Sequence, residues 1–323
     1  MPSLGPLARL RQLAAGHPQA SIWHDIELLR GLLPDDGRHR LCVAYVEVGE
    51  QTRACLPYCL REGLLGSVVT EPPLWRYSAP LFAADAGQEE QRELLLRLLD
   101  ALPSSLGSID LNLPPSAAHL LQGVDVPGFL QRERSTYLAN TARSEEELFA
   151  RVSKRRRRHL RRAARYWAAV TVDALDSELH VILAAPFVRQ GLRLPYDPER
   201  LDRILAALLP KGKALIHVLL HPDGRPGAVL VSLLSERDGY LWLAGDVEDA
   251  RAEYGGHLVY WEGILGVQRS GRPQLDCLGS DLRGPAEQRR SLGAYRVPYV
   301  HVWRDRHVLR RVIRRWRGRK LKG

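Results

Sequence analysis

Methionine occurs once in the 323 residues, phenylalanine four times and cysteine four times, and lysine supplies only five of the 47 basic side chains. Cys42, Cys55, Cys59 and Cys277 are scattered through apolar stretches, and the lone CxxxC of Cys55 and Cys59, interrupted by Pro57, lacks the paired spacing of a metal site. Buried free thiols are expected. No run of about 18 uncharged apolar residues is present, so no membrane-spanning helix is expected. The first residues, MPSLGPLARLRQLAAGH, lack the continuous apolar core of a secretory signal, which makes the cytoplasm the expected location.

What is abundant is arginine, and it is clustered. The net charge is +10. Residues 151–165, RVSKRRRRHLRRAAR, hold nine Lys or Arg and no acid, and residues 304–323, RDRHVLRRVIRRWRGRKLKG, hold ten against Asp305 alone. Each segment carries +9, which leaves −8 on the rest of the chain. A preference for Arg over Lys is what codon bias produces, but bias does not cluster charge. Two readings stay open: solvated helix faces, or patches that attract the phosphates of RNA, of a nucleotide-containing cofactor or of a lipid surface.

At this length two domains of about 150 residues are expected, with a single large α/β unit as the alternative. In the first half, residues 6–33 read as helical, the alternation in VAYVEV predicts two strands around Gly49, Leu94, Leu95, Leu98 and Leu102 mark one face of a helix over 88–102, and SIDLNL and GFLQRERSTYLANT read as strands. The second half opens with a helix over 144–168, signalled by Ser144 and Glu147 as a capping box with Glu145 and Glu146 in its first turn. Leu148, Val152, Leu160 and Ala163 are expected to face the core, with Arg155, Arg158 and Arg162 as an exposed stripe. AVTVDAL, a helix over DPERLDRILAALL, a three-stranded meander over 214–246, a helix over 256–269, and the strands PQLDCLGS and VPYVHVW complete the pattern.

Helix, strand, helix, meander, helix, strand, strand is the element order of the GNAT acyltransferase fold. LAGDVEDARAEYGGHLVYWEGILGVQRSGRPQLDCLGSD, followed by EQRRSLGAYRVPYVHVW, resembles the C-terminal half of the FemAB-like branch of that superfamily, which includes peptidoglycan-bridge aminoacyltransferases. FARVSKRRRRHLRRAARYWAAVTV is similar to the branch's basic helix, and ACLPYCL, PPLWRYSAP and GFLQRERSTYLAN resemble its first domain. The resemblance implies a mixed α/β fold of tandem GNAT-like domains, each a twisted mixed sheet flanked by helices. The expected divisions are a degraded GNAT-like domain over 1–140, a GNAT-like domain over 141–308 containing the basic helix, and a basic tail over 309–323.

The same resemblance nominates site residues. The branch's strand aspartate falls on Asp276 with Gly279 after it, its phenylalanine and lysine positions on Gln288 and Arg289, its second phenylalanine on Leu292 and its glycine on Gly293. Two aromatic positions are thus replaced, and lysine has become arginine, which has different geometry and proton chemistry. Arg289, expected on a loop from Gly279 that arches over the acyl-transfer centre, would stabilise an oxyanion. Asp276 would orient or deprotonate the attacking amine, or else cap a turn. The acyl-CoA loop of GNAT enzymes is matched incompletely: Arg251 is followed by Tyr254 where the first glycine belongs, then by Gly255 and Gly256, whose amides would face a phosphate or simply begin a helix.

Donor contacts are therefore expected from Arg155, Arg158, Arg162, Gly255, Gly256, Tyr295, Tyr299 and Trp316, the last among arginines that suit a nucleobase. The implied activity is N-acyl or aminoacyl transfer to an amine-bearing small molecule or peptide, with charged tRNA as donor and no permanently bound cofactor. The alternatives are an enzyme using acyl-CoA or an acyl-carrier protein, or an inactive protein that binds RNA or rests on a membrane surface.

Overall fold

A computed structural model describes residues 4–63, 66–103, 107–278 and 283–305. The chain divides into two compact units, one running to Arg134 and resuming at Pro298, the other spanning Ser135–Val297.

In the first unit α1 (Pro6–Ala14) and α2 (Ile26–Gly31) precede β1 (His39–Val48), β2 (Gln51–Arg61), β3 (Val68–Thr70), β4 (Leu81–Phe82), α3 (Gln88–Asp100), β5 (Ser108–Leu113) and α4 (Pro115–Ala118). The stretch that reads as helical over 6–33 holds two α-helices. Asp25 starts the second by accepting hydrogen bonds from the amides of Glu27 and Leu28, the competition of a short polar side chain with helix continuation. β1 and β2 pair antiparallel around Gly49, whose φ of +61° suits a residue without Cβ. β3 runs parallel to β5. The alternation of SIDLNL sends Ile109, Leu111 and Leu113 into a core with Leu94, Leu95, Leu98 and Leu99 of α3.

The second unit holds the end of β6 (Leu130–Asn140), α5 (Glu145–Arg151), α6 (Lys154–Ala163), β7 (Ala168–Val172), α7 (Ser177–Arg189), α8 (Pro198–Leu208), β8 (Ala214–Leu220), β9 (Pro226–Leu234), β10 (Asp238–Asp246), α9 (Glu248–Ala252), α10 (Gly255–Arg269), β11 (Gln274–Asp276), α11 (Arg283–Ser291) and the start of β12 (Tyr295–Asp305). Its strand order is β6-β11-β10-β9-β8-β7. The three-stranded meander predicted over 214–246 is β8, β9 and β10, and α10 seals its core with Leu258, Val259, Ile264 and Leu265. α10 and β9 meet closely because Gly263 leaves room for the side chain of Leu230.

Three expectations change. The helix over 144–168 is two helices: Val152 is extended at its end, and Ser153 begins α6 by accepting from the Arg156 amide. The capping box of Ser144 and Glu147 is present, and Leu148, Val152, Leu160 and Ala163 are buried as their spacing requires. The last strand does not stay in the second domain, since from Val300 to Asp305 β12 pairs antiparallel with β5 of the first. The Arg289 segment is helical rather than a loop, as described below.

Candidate active site

β10 and β11 pair in parallel only over Asp238–Tyr240 and Gln274–Asp276. Beyond them β10 continues to Asp246 bonded to β9, while the chain after β11 follows β6, the Cys277 amide donating to the Tyr137 carbonyl at 2.9 Å. The two strands therefore part at Asp276, and beyond Tyr240 β10 has no ladder partner on that side among the described residues.

Asp276 stands at that parting and is 4% exposed. Its Oδ1 accepts from Thr136 Oγ1 at 2.5 Å and from the Leu278 amide at 2.8 Å. The carboxylate thereby closes the turn after β11, the second of the two roles its sequence position allowed. Arg289 lies on α11, and the residues 279–282 that precede this helix, including Gly279, are outside the described residues. Arg289 Nε donates to the Cys277 carbonyl at 2.8 Å and Nη2 to the Leu278 carbonyl at 3.1 Å. It is not an arginine aimed freely from a loop. A helix holds it and two of its donors fix the backbone after β11, which leaves a positive charge beside the point where β10 and β11 part.

That charge has two titratable neighbours. Burial pushes the Cys277 thiol up to about 12 despite Arg289, so it stays protonated and is no nucleophile at neutral pH. Burial likewise raises the hydroxyl of Tyr260, on α10, against the opposing pull of Arg289, with Cys277 and Asp246 pushing in the same direction as burial.

The start of α10 is tightly walled. Tyr254 precedes it at φ +64°, a left-handed conformation that favours glycine, which is the residue the family loop would place there. A Cβ on Gly255 would lie 2.9 Å from the Ala250 carbonyl oxygen, and one on Gly256 would collide with Asp246 Oδ2. Asp246 is held in turn by Arg189, whose Nη2 donates to Oδ1 at 2.7 Å and Nη1 to the backbone oxygen at 2.6 Å. A carboxylate of the protein itself thus occupies the positive end of the helix dipole, where a pyrophosphate would bind. Gly255 and Gly256 begin the helix, closely walled by Ala250 and Asp246.

Arg155, Arg158 and Arg162 fall within about 60° of arc on α6 at about 100° per residue, and all three are exposed. The side chains of Arg155 and Arg158 make no hydrogen bond or ion pair among the described residues. Arg162 grips both carboxylate oxygens of Glu253, at 3.1 and 3.3 Å, and its guanidinium lies 5.6 Å from the centroid of the Tyr254 ring. Beside this stripe the His159 ring stacks on Tyr254 with centroids 3.9 Å apart, and His257 lies nearly parallel to both. Burial and the neighbouring arginines lower His159, and burial, Arg156, His159 and Arg155 take His257 down to about 3, so both imidazoles are neutral at pH 7. Their Nδ1 atoms and Arg156 Nη1 are buried without a hydrogen-bond partner among the described residues.

The two tyrosines of β12 separate. Tyr295 is 49% exposed and lines a cavity of about 130 Å³ in the second unit with Arg143 and Arg151. Tyr299 is fully buried in the first unit, edge-on to Tyr77 at 5.5 Å, its hydroxyl accepting from Arg76 Nη2 at 2.8 Å. A core aromatic cannot be a donor contact, which corrects that expectation. Trp316 and the basic tail are outside the described residues.

Residues 149–283 match the acetyltransferase (GNAT) domain family. Over the longer chain, the crystal structure of FemX superposes with a TM-score of 0.67 at 13% identity, covering 92% of this chain and 96% of that one. The C-terminal domain of a putative lysylphosphatidylglycerol synthetase from Agrobacterium fabrum gives 0.57 at 13% identity over 93% and 92%, and a tandem GNAT protein from the clavulanic acid biosynthesis pathway gives 0.51 at 13% over 92% and 94%. No curated protein sequence matches the chain. Residues 149–283 thus form a GNAT acetyltransferase domain, and over the longer chain the likeness to these structures is one of fold.

Sequence reasoning did not find Arg189, Asp246, Tyr260, His159 or His257. The histidines carried a signal, since both lie within five residues of Tyr254 or inside the arginine run, but their stacking depends on α6 meeting α10. Arg189 and Asp246 are 57 residues apart and carried none.

Proposed function

We propose that the protein transfers an aminoacyl group from charged tRNA to the amine of a small molecule or peptide. The observation that carries this reading is Asp246 at the start of α10. It sets a negative charge where coenzyme A would place its pyrophosphate, while Arg155 and Arg158, on the adjoining helix, are exposed cations suited to a nucleic-acid backbone.

In this reaction the amine nitrogen attacks the ester carbonyl carbon, the bond from that carbon to the ribose oxygen breaks, and the proton lost by the amine ends on the released hydroxyl. Holding the two reactants together supplies most of the acceleration. Arg289 offers a fixed charge to the developing oxyanion. Asp276 holds the turn that carries the Cys277 and Leu278 carbonyls to which Arg289 is tied. Tyr260, kept protonated by its burial, relays this proton, donating its own to the leaving oxygen and taking up the one the amine loses.

The test uses tRNA bearing labelled amino acids and a mixture of primary amines. Enzyme-dependent passage of label from acid-precipitable RNA into small amides, identified by mass spectrometry, is expected. Transfer from an acyl-CoA or an acyl-carrier protein, with charged tRNA inert, overturns the reading.

A further inference from the structure

An open pocket of about 390 Å³ lies in the second unit just past the end of α6. Tyr166 and Trp167 follow that helix directly, His221 and Arg225 come from the turn between β8 and β9, and Asp249 and Glu253 come from α9 and its end. Tyr166 is 43% exposed. Trp167 is fixed: its ring fills the space over Gly227, where a Cβ would collide with it, and it meets His221 edge-on with centroids 5.5 Å apart. Glu253 is the partner of Arg162, so the pocket adjoins the last arginine of the α6 stripe.

We propose that this pocket takes a nucleobase at the single-stranded end of the RNA whose phosphates run along Arg155, Arg158 and Arg162. The inference rests on the tRNA reading above and adds a base-binding subsite to it. Aromatic side chains at the end of a track of cations are how single strands are held, because every base has a face to stack. The carboxylates of Asp249 and Glu253 are acceptors for the amino group of a base, as carboxylates are for cytosine N4. The guanidinium of Arg225 lines the same space, and that of Arg162 is paired with Glu253 at its edge, so a cationic occupant is opposed. A neutral aromatic ring with amino donors satisfies both conditions, and the volume accommodates a base with its ribose.

The experiment compares two short single-stranded RNAs with identical phosphates, one ending in adenosine and the other in an abasic nucleotide, by fluorescence anisotropy with the full chain. The base-bearing strand is expected to bind about ten-fold or more tightly. Tyr166→Ala and Asp249→Asn, both at exposed positions, should reduce that ratio towards one without changing the salt dependence. Arg158→Ala should weaken both strands together and keep the ratio. Equal, salt-dependent binding of the two strands by the unaltered protein overturns the pocket while leaving the tRNA reading intact, as does a ratio that survives both pocket variants. Failure of either strand and of whole tRNA to bind overturns both.

Discussion

Arg189 Nη2 stands 2.7 Å from Asp246 Oδ1 while Nη1 of the same guanidinium holds the Asp246 backbone oxygen at 2.6 Å, so the carboxylate that walls Gly256 is gripped at both its side chain and its main chain. Asp246→Ala removes the negative charge and opens the start of α10. Coenzyme A, which should not bind the unaltered protein measurably, should then give a measurable isotherm by isothermal titration calorimetry. Affinity for tRNA should change little. No gain for coenzyme A would mean that Asp246 is not what closes this helix end.

The α6 stripe predicts a salt dependence. Replacing Arg155, Arg158 and Arg162 by Ala removes up to three phosphate contacts, so the slope of log affinity against log salt should fall by about 2, at roughly 0.7 per contact with a single strand. Arg162, already paired with Glu253, should contribute least of the three. An unchanged slope in a filter-binding series would place the RNA on another surface.

Much of this geometry was legible in the sequence, and the rest was hidden for identifiable reasons. The capping box at Ser144 and Glu147, the alternation of SIDLNL and the meander each rest on interactions within a few residues or on a strict period, and they appear where expected. The break at Val152 and Ser153 was masked by the arginine run, which is polar on every side and has no period to interrupt. α7 was missed because its sequence, SELHVILAAPFVR, has little amphipathic contrast and contains Pro186. The role of Arg289 depends on where the Cys277 and Leu278 carbonyls point, which only the folded chain determines.

Arg289→Ala should lower transfer by about 100-fold, the loss typical of an oxyanion donor, and should also lower the melting temperature because two backbone carbonyls lose their partner. Arg289→Lys, with one ammonium in place of a fork, should recover part of the rate. Thr136→Val tests the neighbouring Asp276 separately: it removes a donor from a buried carboxylate and should cost about 1–3 kcal/mol of stability in chemical denaturation. Activity per folded molecule should change much less than in Arg289→Ala. A Thr136→Val protein of full stability would contradict the turn-holding role of Asp276.

In the first unit Glu71 accepts from the amides of Asn112 and Ser78 and from the Asn112 side chain, and burial pushes its carboxyl up to about 8 against these hydrogen bonds. The folded state therefore holds a proton that the unfolded state releases near 4.5. The resulting stability is complete below pH 4.5 and is lost as the pH rises through about 8. Melting curves should show this contribution falling between pH 5 and pH 9. Glu71→Gln, which cannot ionise, should flatten that part of the profile, and an unchanged profile would show that Glu71 does not govern it.

The choice of donor is the centre of the account, and one titration tests it most directly. Charged tRNA, uncharged tRNA and coenzyme A are each titrated against the full chain at low salt, with filter binding for the RNAs and calorimetry for coenzyme A. Both tRNAs should bind with affinities that fall steeply as salt is raised, and coenzyme A should not bind measurably at concentrations that saturate with tRNA. Tight binding of coenzyme A with no binding of either tRNA would contradict the account.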